Sequence, residues 1–284
     1  MPSSYAHYVF GKEVLRLLPE ELASAAQSRR QLFDIGLHGP DILFYYHPLT
    51  ANAVNSVGFG LHAKPASVFF GPASRAYAAS TDRSSAAAYL LGFVCHFALD
   101  SACHGYIEKK ISVSAVTHTE IESEFDRYLL QKEGREPLSA RLTGHICPTA
   151  ENARVIAPFF NGITEKQVQK SLRSMLFYNE LMRAPHAPKR LLVNAVLKLT
   201  GNYKEMHGMM MAKEPIGICA DSDLRLEKLM HAAESRAASL CAGYYRYLNG
   251  SAPLDPAFDN TFGPAENWRE IPVFSLEEEK RYEI

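Results

Sequence analysis

Residues 84–109 read SSAAAYLLGFVCHFALDSACHGYIEK, and how this stretch folds decides how the rest of the chain is arranged. From Ala86 to Ile107 it is almost entirely apolar or small, and the exceptions that carry chemistry are His96, Asp100 and His104. In a helix, a step of four residues overshoots a full turn by about 40°, so these three side chains fall within about 80° of one another. One carboxylate and two imidazoles therefore form a stripe on a helix that is otherwise buried. An unpaired carboxylate in such surroundings is costly unless a cation or a dense set of hydrogen bonds meets it. A divalent metal is the economical explanation.

The same spacing recurs downstream. In THTEIESEFDRYLL (117–130), His118 and Glu122 are four apart on a segment whose apolar side is Ile121, Phe125, Tyr128 and Leu129. Two helices that each offer an imidazole and a carboxylate can close on metal from opposite sides. Imidazole and carboxylate without thiolate suit zinc or a comparable first-row ion in a catalytic site. A single HxxxD occurs by chance. HxxxDxxxH followed by HxxxE, in a chain with 11 histidines, is a far more specific signal.

Composition narrows the function classes. A chain of 284 residues holds one large core or at most two domains. A hydrophobic share of 47% with 21% charged residues describes an ordinary globular protein. The net charge of −1 gives no basic field for nucleic acid. The five cysteines are odd in number and form no CxxC, which speaks against a disulfide framework and for a reducing compartment. Cys95 and Cys103 point about 100° away from the neighbouring histidines and are expected in the core. MPSSYAHYVFGKEV lacks the pattern of a signal peptide, and the central helix, though long enough to span a bilayer, has its Asp and two His near the middle. The expectation is a cytoplasmic protein without a transmembrane segment. The acidic stretch SLEEEKRYEI is expected to be a solvated helix or tail.

Taken in order, the chain reads as helix after helix. Ser3 or Ser4 caps a first helix with Val9, Val14, Leu15 and Leu18 inward, ending at Pro19. His7, taken alone, reads as a surface or capping residue. A second helix spans 20–36 and is broken by GLHGPD. Asp41 then stands at a loop boundary before ILFYY, fit equally to ligate or to cap. His38 and His47 take the ordinary reading of non-ligands, and His62 follows the two glycines of VGFGLH, which permit close backbone approach. PASVFFGPASRAYAAS resumes helix, and STDRSS caps the central one. The His118 helix is expected to end near 133–134. Residues 135–161 read as loop and short helix, followed by helices over 162–183, 189–199 and 221–248. The methionines of EMHGMMMAKEP read as core filler, and 251–268 as loop. The fold class is all-α, a multi-helix bundle, expected as one domain over 1–284 with the metal-site half at 1–134 and a helical half at 135–284.

YAH at His7, GPDILFYY with Asp41, GFGLH with His62, HFALDSACH and HTEIE together resemble the zinc-dependent phospholipase C superfamily, which shares its fold with the fungal zinc nucleases. The resemblance covers roughly residues 1–130. It implies an all-helical protein with zinc ions at the bottom of a cleft. Carried over, Asp41, His62, His96 and Asp100 hold one ion, and His104, His118 and Glu122 a second. His7 and the other oxygen of Asp100 take part in a third, so the cofactor expected is two or three Zn2+. The secreted bacterial members complete the third site with an N-terminal tryptophan amine. Here the single tryptophan is Trp268, and the chain starts Met1-Pro2, where loss of Met1 leaves the Pro2 amine. The third histidine follows the aspartate by four residues, against six in those enzymes. Phe59 matches an aromatic that lines their choline pocket, whereas Ile42 replaces their tyrosine.

The activity implied is hydrolysis of a phospholipid or related phosphodiester by a metal-bridged hydroxide, with Asp41 also orienting or deprotonating the nucleophile. Two alternatives remain beside it: a nuclease-like phosphodiesterase on the same scaffold, and a metal-binding or interaction protein that has lost activity. The nucleases generally carry aspartate where this chain has Glu122, and no basic groove interleaved with aromatics is evident. The partner expected is thus a phosphodiester substrate, with no specific nucleic acid. Oligomeric state stays open.

Overall fold

The computed structural model describes residues 4–284. In chain order the helices are α1 (Ser4–Leu17), α2 (Glu20–Ser28), α3 (Arg30–Gly36), α4 (Ala53–His62), α5 (Ser67–Ala79), α6 (Arg83–Val113) and α7 (His118–Lys132). There follow α8 (Ala150–Ile156), α9 (Glu165–Met182), α10 (Ala187–Leu199), α11 (Tyr203–Met206), α12 (Ala220–Leu248) and α13 (Leu276–Glu279). A 3-10 segment, Gly39–Tyr45, joins α3 to the loop before α4. Among the described residues there is no strand, only a lone antiparallel bridge between Pro65 and Thr261. The protein is all-α, as its periodicities require.

The axis of the molecule is α6. Asp82 caps it by accepting from the Ser85 amide (3.0 Å), and nearly every residue from Ser85 to Asp100 is buried. Its apolar length suits a bilayer as well as a core, but 89% of its most apolar window is packed inside the protein. On one side α3 meets it backbone to backbone. A Cβ on Gly36 would lie 2.2 Å from the Tyr89 carbonyl oxygen, and one on Gly92 2.1 Å from that of Phe33. Any larger residue would push α3, and the 3-10 segment after it, away from the face bearing His96. On the other side α12 runs alongside, with Cys241 Sγ 3.8 Å from Cys95 Sγ and both thiols buried.

Two caps place the remaining helices. The Asp126 carboxylate of α7 accepts from the amides of Ala6 (2.8 Å) and Tyr5 (3.2 Å) at the start of α1. Thr117 and Glu120 form a capping box that makes His118 the first residue of α7.

Several boundaries differ from the sequence reading. The helix expected over 20–36 is two, broken at Arg29, whose φ of −121° and ψ of 38° leave the helical region. The central helix continues to Val113. The acidic C-terminal stretch is not merely solvated: Glu279 is buried and accepts from Arg225 Nε (2.9 Å) and Nη2 (2.8 Å). Charge alone concealed this, because Arg225 lies 54 residues upstream. Met206, Met210 and Met211 are buried, as filler requires. The expected cap at Ser3 and the Pro2 amine lie outside the described residues.

Candidate metal centre

Three groups of donor atoms gather at the middle of α6, each with its atoms within 4.8 Å of one another: His7, His96 and Asp100; Asp41, His62 and His96; and His104, His118 and Glu122. All eight side chains singled out in the sequence are in them. Asp100 stands between the groups. Its Oδ1 is 3.1 Å from His7 Nε2, while its Oδ2 is 3.1 Å from His96 Nε2, 3.7 Å from His62 Nε2 and 3.9 Å from His104 Nδ1. Asp41 Oδ1 is 2.9 Å from His62 Nε2, and its Oδ2 is 3.8 Å from His96 Nε2. In the third group His118 Nε2 lies 3.1 Å from Glu122 Oε1.

The spacing and the direction of these atoms separate a ligand set from a hydrogen-bonded network. Donors about 2.1 Å from a tetrahedral ion stand about 3.4 Å apart, in the middle of the distances observed. Both oxygens of Asp41, Oδ2 of Asp100, Oε2 of Glu122 and Nε2 of His96 are buried without a hydrogen-bond partner. The imidazole nitrogens approach carboxylates closely yet several do not aim a proton at them, as when lone pairs converge on a shared cation. A cavity of about 30 Å³ lies among His7, Asp100, His104 and Glu122, room for an ion or one water. Nitrogen and oxygen donors without sulfur fit zinc. Cys103 borders that cavity, but burial holds its thiol protonated, and no cysteine enters the three groups among the described residues.

Electrostatics gives the same reading. Burial disfavours a charged His62, but the Asp41 carboxylate raises its pKa to about 9. Glu122 raises His118 to about 10. His7 is lifted too, against burial, by its hydrogen bond to Asp100. Burial would raise Asp100 and Glu122, but His96 and His104 hold Asp100 well below the carboxylate range, and His118 lowers Glu122. Three buried carboxylates thus create a strong demand for positive charge.

Further contacts orient the imidazoles. His62 Nδ1 lies 3.0 Å from the Gly58 carbonyl oxygen one turn earlier, and His104 Nδ1 lies 2.7 Å from that of Phe262. In each case donation from Nδ1–H leaves Nε2 its lone pair. His118 Nδ1 faces Glu108 Oε1 at 3.8 Å. Glu108 continues the four-residue stripe of α6, and the Gly58 carbonyl is the i−4 position of a helix, so both were within reach of sequence reasoning. The Phe262 carbonyl was not, being 158 residues away in a loop without pattern.

The structure corrects the isolated reading of His7, which is 4% exposed and faces Asp100 because Asp126 anchors the start of α1. It also gives His96 a wider role than the carried-over sets, grouping it with His7 as well as with Asp41; the His7 and His96 rings stack 4.6 Å apart. Asp41 sits inside the buried 3-10 segment. His38 and His47 stay outside the groups: His38 Nε2 is 2.7 Å from His145 Nε2, and His47 Nε2 is 2.7 Å from Lys170 Nζ. Phe59 is exposed and stacks on Phe44 (4.2 Å), whose ring is 5.1 Å from that of His62, while Ile42 is fully buried.

An all-helical bundle built round imidazole and carboxylate clusters of this kind defines a class of zinc-dependent proteins. The family model for zinc-dependent phospholipase C matches residues 6–171, and the chain belongs to that family. The match runs beyond the 1–130 seen by motif, through the loop of 135–161 into α9. No curated protein and no solved structure matches the chain.

Proposed function

We propose that this protein is a zinc-dependent phosphodiester hydrolase of the phospholipase C type, acting on a phospholipid or a related phosphodiester. The observation that carries the reading is the convergence of eight side chains from five segments, with four of their six carboxylate oxygens unpartnered in a buried site. Asp41, His62, His96 and Asp100 would hold one ion, His104, His118 and Glu122 a second, and His7 with Asp100 a third. Ions bound there supply Lewis acidity toward a phosphoryl oxygen and acidify a water for attack on phosphorus.

The chain's own residues do the rest. Asp100 turns its two oxygens to different imidazoles and so ties the groups together. Gly58 and Phe262 fix ring orientation through Nδ1, which keeps the donor atoms in place between turnovers. Asp41, with both oxygens unpartnered, orients the attacking water and accepts its proton. His62 and His118 are the more exposed members of the set, which puts the approach of substrate on their side. Phe59 and Phe44 offer an aromatic ledge next to His62 for the headgroup. We take residues 1–284 as one catalytic unit, because the Phe262 carbonyl from the C-terminal half closes on His104.

The test is elemental analysis of the purified protein, together with assays on choline, ethanolamine and inositol phospholipids and on single-stranded DNA, with and without chelator. Two or three zinc ions and chelator-sensitive lipid hydrolysis are expected. Undiminished hydrolysis by the metal-free protein would overturn the reading, and activity confined to DNA would move it to the nucleases.

A further inference from the structure

Helix α10 stands apart from the main core. Its inward residues Val193 and Leu197 belong to a small buried cluster with Met182, Ala184, Met206 and Met210. Its outward side is apolar as well: Leu191, Leu192, Val196 and Leu199 are 70%, 65%, 48% and 88% exposed. At 100° per residue these four cover an arc of about 140°, with Val193 and Leu197 on the opposite side. A contiguous apolar helix face in water marks a contact surface.

Charge identifies what it contacts. On the same wheel Lys198 borders one edge of the arc and Lys189 the other, each about 20° beyond the last apolar residue. Lys189 Nζ is held by the carbonyl oxygens of Glu180 and Arg183 (2.7 Å each), and Lys198 Nζ lies 5.1 Å from the Tyr203 ring centroid. No acid occurs in α10. Residues 183–213 carry six Lys or Arg and one Asp or Glu, while the rest of the chain has a net charge of −6. The positive charge is therefore concentrated round α10, which shows this apolar face. A two-fold contact between copies would bring these like charges together, which argues against a second copy of the chain as the occupant.

We propose that α10 docks the protein on an anionic lipid bilayer, lying in the interface with Leu191, Leu192, Val196 and Leu199 among the acyl chains and Lys189 and Lys198 at the level of the headgroups. The proposal concerns attachment and stands apart from turnover at the metal centre.

The experiment is co-sedimentation of the full chain as purified with vesicles of phosphatidylcholine alone or mixed with phosphatidylglycerol, lipid phosphorus in the pellet being checked for loss by turnover. Binding to the mixed vesicles, weakening as salt rises, is expected. Leu192→Glu with Val196→Glu lowers that binding more than about tenfold, because two side chains leave the acyl region. Both positions are exposed, so the melting temperature stays at the wild-type value; Leu199→Ser, at a yet more exposed position, is the second variant and weakens binding to a smaller degree. Wild-type protein left in the supernatant, or equal binding by the double variant, overturns the proposal. So does a wild-type dimer that the double variant converts to monomer.

Discussion

Helix α6 carries buried charge in two places, and the two are handled differently. At Asp100 the neighbours are imidazoles, and one carboxylate oxygen has no hydrogen-bond partner. Ten residues on, Lys110 donates to both oxygens of Asp221 at 2.7 Å, and the Tyr106 hydroxyl donates to the same carboxylate. Nearby, Arg225 and Glu279 form a two-pronged pair. The second region supplies its own cations; the first sets imidazoles against carboxylate oxygens and leaves four of those oxygens unpartnered. Burial of charge is thus no mark of function by itself. The mark is a buried acid whose partners offer lone pairs.

The widest separation between the regions is expected from Asp100→Asn against Asp221→Ala. Asp100→Asn loses bound zinc and all measurable hydrolysis, read by elemental analysis and phosphodiester assay, while metal-free unfolding shifts far less than in Asp221→Ala. Asp100→Asn keeps a polar group of the same shape among the imidazoles, whereas Asp221→Ala removes both oxygens that accept from Lys110. Asp221→Ala leaves that lysine buried and unpaired, costs about 3–5 kcal/mol in urea unfolding, and leaves the zinc content of the folded protein intact. If the two variants fail in the same way, the distinction collapses.

Gly39→Ala probes the first region from the backbone. Gly39 has φ of +46°, and an added Cβ would lie 2.1 Å from His96 Cδ2. The ring must move, and zinc affinity in a chelator competition should fall about 10–100-fold, on the scale of disturbed ligand orientation. Unchanged affinity would remove His96 from the ligand set.

The smallest effect sharpens the second region. Burial, helped by Glu124 and Asp221, raises the Asp223 carboxyl to about 8. An acid whose folded pKa lies above its unfolded value contributes stability that is present below about pH 4 and is lost as pH rises through about 8. Asp223→Asn should therefore flatten the dependence of melting temperature on pH between those limits, and a parallel wild-type curve would contradict it. Here is a third treatment, in which a half-buried acid keeps its proton.

Much of this was legible in the chain. The four-residue steps from His96 to His104 and from His118 to Glu122 dictate which donors share a helix face, because helical geometry is local. The close packing of α3 on α6 at Gly36 and Gly92 was not legible, because a glycine in the chain does not say which backbone comes near it. His7 alone reads as a surface residue, since nothing near it in sequence shows that Asp126 anchors α1. Likewise the acid at 279 reads as tail until Arg225 is seen beside it.

The sequence by itself determined the helical class, the donor types and their spacing along α6 and α7, all of which follow from hydrogen bonding and periodicity over a few residues. Only the tertiary structure decided that Asp100 shows one oxygen to His7 and the other to His96, that a carbonyl from position 262 orients His104, and that α10 turns leucines to solvent. The reason is one of range. Backbone geometry is set by neighbours in the chain, whereas the point at which side chains converge is set by how distant helices pack.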